Sequence, residues 1–256
     1  MSLFSLLAEV LFVGHSLVGP TLPAMVEAGL AQKDAPAVVE AQVINGASLA
    51  YNWDHSAQAE GVDGRAALAS GQVGTLILTE AVPIAAHVQW SDTAGLVARW
   101  ADAARAGNAA VDVWLYESWP SLNSGTPAAA ADDPGGALPW RERIAADLAL
   151  WQQAAAEQAR ILPAGQAMGL LADEIAAGRV PGINDIRDIF VDDIHPDGKG
   201  LYFLAMVQIA ALTGSSPEGL PAKLMRTWPS RDAVITEEQA LAFQRIAWQA
   251  VQAFPV

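Results

Sequence analysis

Two short stretches carry the residues best able to do chemistry together. Gly14-His15-Ser16 places a serine after a tight turn, and Asp192 and His195 stand three residues apart ahead of Pro196-Asp197-Gly198. A serine hydroxyl is a poor nucleophile unless a base lies within hydrogen-bond reach. That base in turn needs an acid to fix its tautomer and stabilise the imidazolium. Each stretch alone has a plain structural explanation. A serine after glycine often caps a helix, and an Asp-x-x-His turn is often a surface turn with a capping aspartate. Taken together they supply a nucleophile, a base and an acid.

Such groups must be brought together by the elements around them. Val10 to Val13 is an apolar run ended by Gly14 and reads as a buried first strand. Further strands are expected at Val38 to Ile44, Val73 to Thr79 and Val111 to Tyr116, with weaker ones at Arg160 to Pro163 and Ile189 to Val191. Helical patterns lie between them, over 21–32, from Trp90 to Ala106, around Ile144, Leu148, Trp151 and Ala155, and from Leu201. A last helix opens at Thr236-Glu237-Glu238-Gln239, a capping-box spacing, and carries an apolar stripe of Phe243, Ile246, Ala247, Ala250, Val251 and Phe254. Buried strands alternating with helices imply a mostly parallel sheet covered on both faces, a three-layer α/β/α arrangement. Ser121 to Gly136, rich in Ala, Asp, Pro and Gly, reads as a long surface loop, since the alternation continues after it. The whole chain, 1–256, is read as one domain.

Ligands of parallel α/β sheets bind at the carboxyl ends of the strands. The residues to read for chemistry are therefore Gly14-His15-Ser16, Asn45-Gly46-Ala47-Ser48, Glu80-Ala81, Glu117-Ser118-Trp119 and Asp192 to His195. Ser16 stands where a helix is expected to begin, so backbone N–H groups there could receive an oxyanion.

Composition narrows the classes. With 28 acidic against 14 basic residues the net charge is −14, which disfavours a nucleic-acid partner and fits a neutral or cationic substrate. There is no cysteine, so disulfides, thiolate catalysis and cysteine-based metal sites are excluded. His55 and His87 lack partners at metal-ligand spacing, and neither a metal nor a cofactor is implied. No apolar stretch is long enough to span a membrane. Met1 to Val13 is apolar but lacks a basic start and a cleavage site, so it does not read as a removable export signal. The composition fits cytoplasm and periplasm alike.

In this order the blocks resemble the SGNH/GDSL hydrolase family. Gly14-His15-Ser16-Leu17 is similar to its first block, Asn45-Gly46 to its second, and Asp192-Asp193-Ile194-His195-Pro196 to its last. The resemblance spans residues 10 to about 214. It implies a flavodoxin-like single domain and a serine esterase or deacetylase acting on a small acyl ester, with an acetylated carbohydrate as one substrate class. It further implies Ser16 as nucleophile, His195 as base, Asp192 rather than Asp193 as acid, and the N–H groups of Ser16 and Gly46 as oxyanion donors. One departure is evident. The family's third block carries an asparagine donor, whereas Leu78-Thr79-Glu80-Ala81-Val82 offers a carboxylate, which accepts unless protonated. Glu80 is expected in the crevice, acting on substrate or on a neighbouring donor. His15 is read as a substrate contact or a brace of the turn, and Trp119 and Trp53 as sugar-stacking faces or core indoles. Two other functions share these residues: acyl transfer to a sugar hydroxyl, and carbohydrate binding on a degenerate hydrolase fold. A G-x-S-x-G elbow fits poorly, because Val18 stands where its second glycine belongs.

Overall fold

Val10 to Val13 presents apolar side chains to both sides of the chain, which suits a strand covered on two faces. In the computed structural model, which describes residues 8–224 and 235–254, this run is the centre of β1 (Ala8–Gly14). Residues 1–7 of the apolar start lie outside the described residues. Val10 and Phe12 enter one hydrophobic core and Leu11 and Val13 another, as the two-residue period of a strand requires. Each such side chain, fully buried, contributes about 1.5–3 kcal/mol.

The other strands are β2 (Ala37–Val43), β3 (Glu60–Gly61), β4 (Val73–Leu78), β5 (Asp112–Tyr116) and β6 (Arg160–Leu162). They form one six-stranded sheet in the order β3-β2-β1-β4-β5-β6, parallel throughout except for the antiparallel β2–β3 pair. Chain order reverses at β1: β2 lies on one side of it and β4 on the other. A crevice opens at the carboxyl ends of strands at such a switch point, so the turn after β1 stands at the fold's natural ligand site.

The helices are α1 (Thr21–Gln32), α2 (Leu49–Asp54), α3 (Gly64–Ala69), α4 (Ile84–Trp90), α5 (Thr93–Gly107), α6 (Trp140–Ala155), α7 (Ala164–Ala176), α8 (Gly198–Thr213) and α9 (Glu237–Ala253). Side chains of α1, α7, α8 and α9 build the core on one face of the sheet, and those of α3 and α5 the core on the other; α6 contributes to both. The capping box of α9 is present: Gln239 N donates to Thr236 Oγ1 at 3.1 Å and Thr236 N to Gln239 Oε1 at 3.0 Å. Among the described residues no helix is long and apolar enough to cross a membrane.

Three expectations differ from the structure. The helix expected from Trp90 to Ala106 is two helices, parted at Ser91-Asp92, because the Asp92 side chain accepts from Gly95 N at 3.0 Å and starts α5 afresh. The short strand expected at Ile189 to Val191 is instead the end of a 3₁₀ turn, Ile186–Ile189, followed by an isolated bridge from Phe190 to Pro196. Asp185 and Asp188 bond reciprocally to backbone N–H groups there and offer the chain a local alternative to a ladder. Finally, α1 begins at Thr21, so Ser16 stands in a turn before the helix rather than at its start.

Candidate active site

The turn carrying Ser16 is built from Gly14 outward. A Cβ on Gly14 would lie 2.5 Å from Thr79 Cγ2 and 2.8 Å from Val18 Cγ2, so glycine gives the end of β1 room beside these two side chains. Beyond it, Val18 N and Gly19 N both donate to His15 O, at 2.8 and 3.2 Å, and curl the chain so that Ser16 sits at the apex, half-buried. His15 is only 3% exposed. Its Nε2–H donates to the Glu80 carbonyl at 3.0 Å, and Nδ1 faces Leu17 N at 3.4 Å. Burial holds its pKa below the usual histidine range, against the Glu80 bond and with help from nearby His87 and His195. With both nitrogens turned inward, His15 braces the turn and does not face substrate, which corrects one of its two expected uses.

The late block folds back on the same edge. Asp192 divides its carboxylate: Oδ1 accepts from Ile194 N at 2.8 Å and His195 N at 2.7 Å, while Oδ2 lies 2.8 Å from His195 Nδ1. One oxygen shapes the turn and the other orients the ring. His195 Nε2 then lies 2.9 Å from Ser16 Oγ, across 179 residues of sequence. Partial burial pushes the Asp192 carboxyl up, but the two N–H groups and the imidazole outweigh it and hold the group below the usual aspartate range. The side chains of His195 and Asp192 are 37% and 48% exposed, so water reaches both. Neighbouring Asp193 points elsewhere, accepting from Ser121 Oγ at 2.5 Å and Asn123 Nδ2 at 3.1 Å. Asp197 caps α8 through Lys199 N and Gly200 N and fixes the block's far end.

Gly46 lies on the loop leaving β2, just past Ile44, whose N extends the ladder by donating to Gly14 O at 3.1 Å. Its φ of +71° is the left-handed conformation that glycine adopts at no steric cost. Glu80 is not in the open crevice. It is 0% exposed, and its Oε1 accepts from Leu49 N at 2.9 Å and from Ala81 N at 2.8 Å. Burial pushes its carboxyl above the usual glutamate range, opposed by those N–H groups and by His87. A direct contact with substrate is therefore corrected to an internal role. Of the two expected uses of Trp119 the structure has the core one and not the sugar-stacking one: it is 0% exposed, its Nε1–H donates to Ile194 O at 2.9 Å, and it steadies the Asp192–His195 block from beneath. Trp53 packs edge-on against Trp100, with the guanidinium groups of Arg65 and Arg99 over its ring at 4.8 and 4.3 Å.

Glu117 stands among the strand-end residues expected at the rim, yet its carboxylate is buried. Glu117, directly after β5, accepts from Gln166 Nε2 at 2.6 Å and Gln166 N at 3.2 Å, and burial pushes its pKa up to about 8 despite those bonds. An unfolded glutamate titrates near 4.3. Between these values the folded chain holds a proton that the unfolded chain has released, so stability is lost as pH rises through this window. Each pH unit of the gap is worth about 1.4 kcal/mol. Urea denaturation at pH 5 and at pH 8.5 is expected to show a smaller fall in stability for Glu117→Gln than for the wild type. Equal falls in the two proteins would show that Glu117 is ionised in both states.

No protein-family model matches this chain, and no curated protein sequence does. Solved structures do. A DUF4886 family protein from Bacteroides uniformis superposes with a TM-score of 0.67 at 16% identity, covering 96% of this chain and 95% of that one. A protein named as a GDSL-like lipase from Parabacteroides merdae superposes with a TM-score of 0.55 at 14% identity, covering 81% of this chain and 96% of that one. With Ser16, His195 and Asp192 gathered at the switch point of its sheet, the chain has the fold of the SGNH/GDSL-like hydrolases.

Proposed function

We propose that this protein is a serine esterase in which Ser16, His195 and Asp192 act as nucleophile, general base and orienting acid. The observation that carries this reading is the bridging imidazole, 2.8 Å from Asp192 Oδ2 on one side and 2.9 Å from Ser16 Oγ on the other. A carboxylate on Nδ1 favours the tautomer with its proton there, leaving the Nε2 lone pair to face the serine hydroxyl. As Oγ attacks the acyl carbon, its proton passes to Nε2. The negative charge that develops on the carbonyl oxygen is met by the N–H groups of Ser16 and Gly46. The imidazolium returns the proton to the departing alcohol, and water repeats the sequence on the acyl-enzyme.

The substrate is an ester of a small acyl group, an acetylated carbohydrate being the class in view. The net charge of −14 fits a neutral or cationic ester rather than a phosphorylated one. The same three residues would serve acyl transfer to a sugar hydroxyl, so the acyl acceptor is decided by product analysis. Trp119 presents no open face for stacking, so it supports a sugar ligand in neither the esterase nor the carbohydrate-binding reading. The purified protein is expected to hydrolyse p-nitrophenyl acetate and to release free acetate from an acetylated oligosaccharide, even with excess unacetylated sugar present. Acetyl groups recovered on the added sugar would indicate transfer, and inertness toward both substrates would reject the esterase reading.

A further inference from the structure

The loop carrying Gly46 is held at both ends. At its start Ile44 N donates to Gly14 O at 3.1 Å; at its end Leu49, the first residue of α2, donates its N–H to Glu80 Oε1 at 2.9 Å. The same oxygen accepts from Ala81 N at 2.8 Å, which folds the Glu80 side chain back over its own backbone. The Glu80 carbonyl meanwhile receives the Nε2–H of His15, the residue before the nucleophile. One fully buried residue thus ties the nucleophile turn to the glycine loop from behind.

We propose that Glu80 is a positioning residue that fixes the Gly46 N–H relative to Ser16, acting through the acceptor capacity of Oε1 and not as a donor, a proton carrier or a substrate ligand. The proposal rests on the esterase reading above. A glutamate in place of an asparagine donor would otherwise set a carboxylate near a developing oxyanion, where like charge raises the barrier. Turning the carboxylate away, onto the start of α2, avoids that repulsion. An acceptor oxygen serves this purpose in either protonation state. The groups facing the carboxylate are His87 of α4, with Nδ1 3.9 Å from Oε1, and Thr93 of α5, which lies beside it without a well-formed hydrogen bond. His15 meets only the backbone carbonyl.

The test compares Glu80→Gln, Glu80→Asp and Glu80→Ala with the wild type on p-nitrophenyl acetate. Glutamine keeps an acceptor oxygen at the same reach, whereas aspartate is one methylene too short to meet Leu49 N and Ala81 N together. Misplacement of a catalytic group by about 1 Å can cost roughly 100-fold in rate. Glu80→Gln is expected to keep kcat within about 3-fold. Glu80→Asp and Glu80→Ala should lose on the order of 100-fold in kcat with little change in KM, and the pH midpoints of kcat should be the same in all active variants. If Glu80→Ala does not fold, the glutamine and aspartate variants decide the matter alone. Full activity in Glu80→Asp would overturn the proposal. So would a glutamine variant as slow as the aspartate one, or a shift in its pH midpoint, since either would assign the role to charge. A wild type with no esterase activity would instead remove the functional reading on which the proposal stands.

Discussion

Replacing Ser16 by alanine is expected to lower kcat on p-nitrophenyl acetate by up to about a million-fold, leaving a folded protein with residual turnover at most. The size follows from what the substitution removes. Ser16 Oγ is the atom 2.9 Å from His195 Nε2, and without it there is no acyl-enzyme for that imidazole to form or resolve. The backbone N–H donors and the histidine remain, and such remnants retain a small rate advantage over water. Stability is expected to change little, because the hydroxyl is half-buried and one side-chain hydrogen bond is worth about 0.5–1.5 kcal/mol. Steady-state kinetics on a preparation with a wild-type-like melting curve checks both halves. Turnover near the wild-type rate would mean that another residue does the chemistry.

The second large effect separates two adjacent aspartates. Asp192→Asn is expected to reduce kcat by about 10,000-fold, whereas Asp193→Asn should change it by less than about 10-fold. In Asp192→Asn the amide oxygen can still accept from Ile194 N and His195 N, so the turn is kept. The amide NH₂ then faces His195 Nδ1, a donor where an acceptor stood, and the ring is driven to the tautomer that places a proton toward Ser16. Asp193 accepts from Ser121 and Asn123, and an asparagine oxygen can replace part of that pairing. Parallel kinetics on the two variants provides the check. Equal losses, or the reverse ranking, would assign the orienting role to the wrong residue.

Much of the scaffold was legible because it rests on local patterns. The apolar runs at β1, β2, β4 and β5, the stripe of α9 and its Thr236 cap each occupy a few consecutive residues, and burial makes the period visible. The break between α4 and α5 was hidden because Ser91 and Asp92 interrupt an otherwise helical composition without a proline or glycine. The two-residue β3 is too short to show any period. At the site, Asp192 and His195 could be paired because the turn between them is local. The directions of His15, Glu80 and Trp119 could not be read, because each is set by a partner distant in sequence: Glu80 O, Leu49 N and Ile194 O. Strand ends show which residues reach the rim of a sheet; only packing decides whether they face the solvent or the core.

The most direct measurement is the location of covalent modification. Incubation with a fluorophosphonate followed by peptide mass spectrometry should place a single adduct on Ser16, absent from Ser16→Ala and formed far more slowly in His195→Ala. An unmodified protein, or an adduct on another serine with Ser16 untouched, would contradict the account.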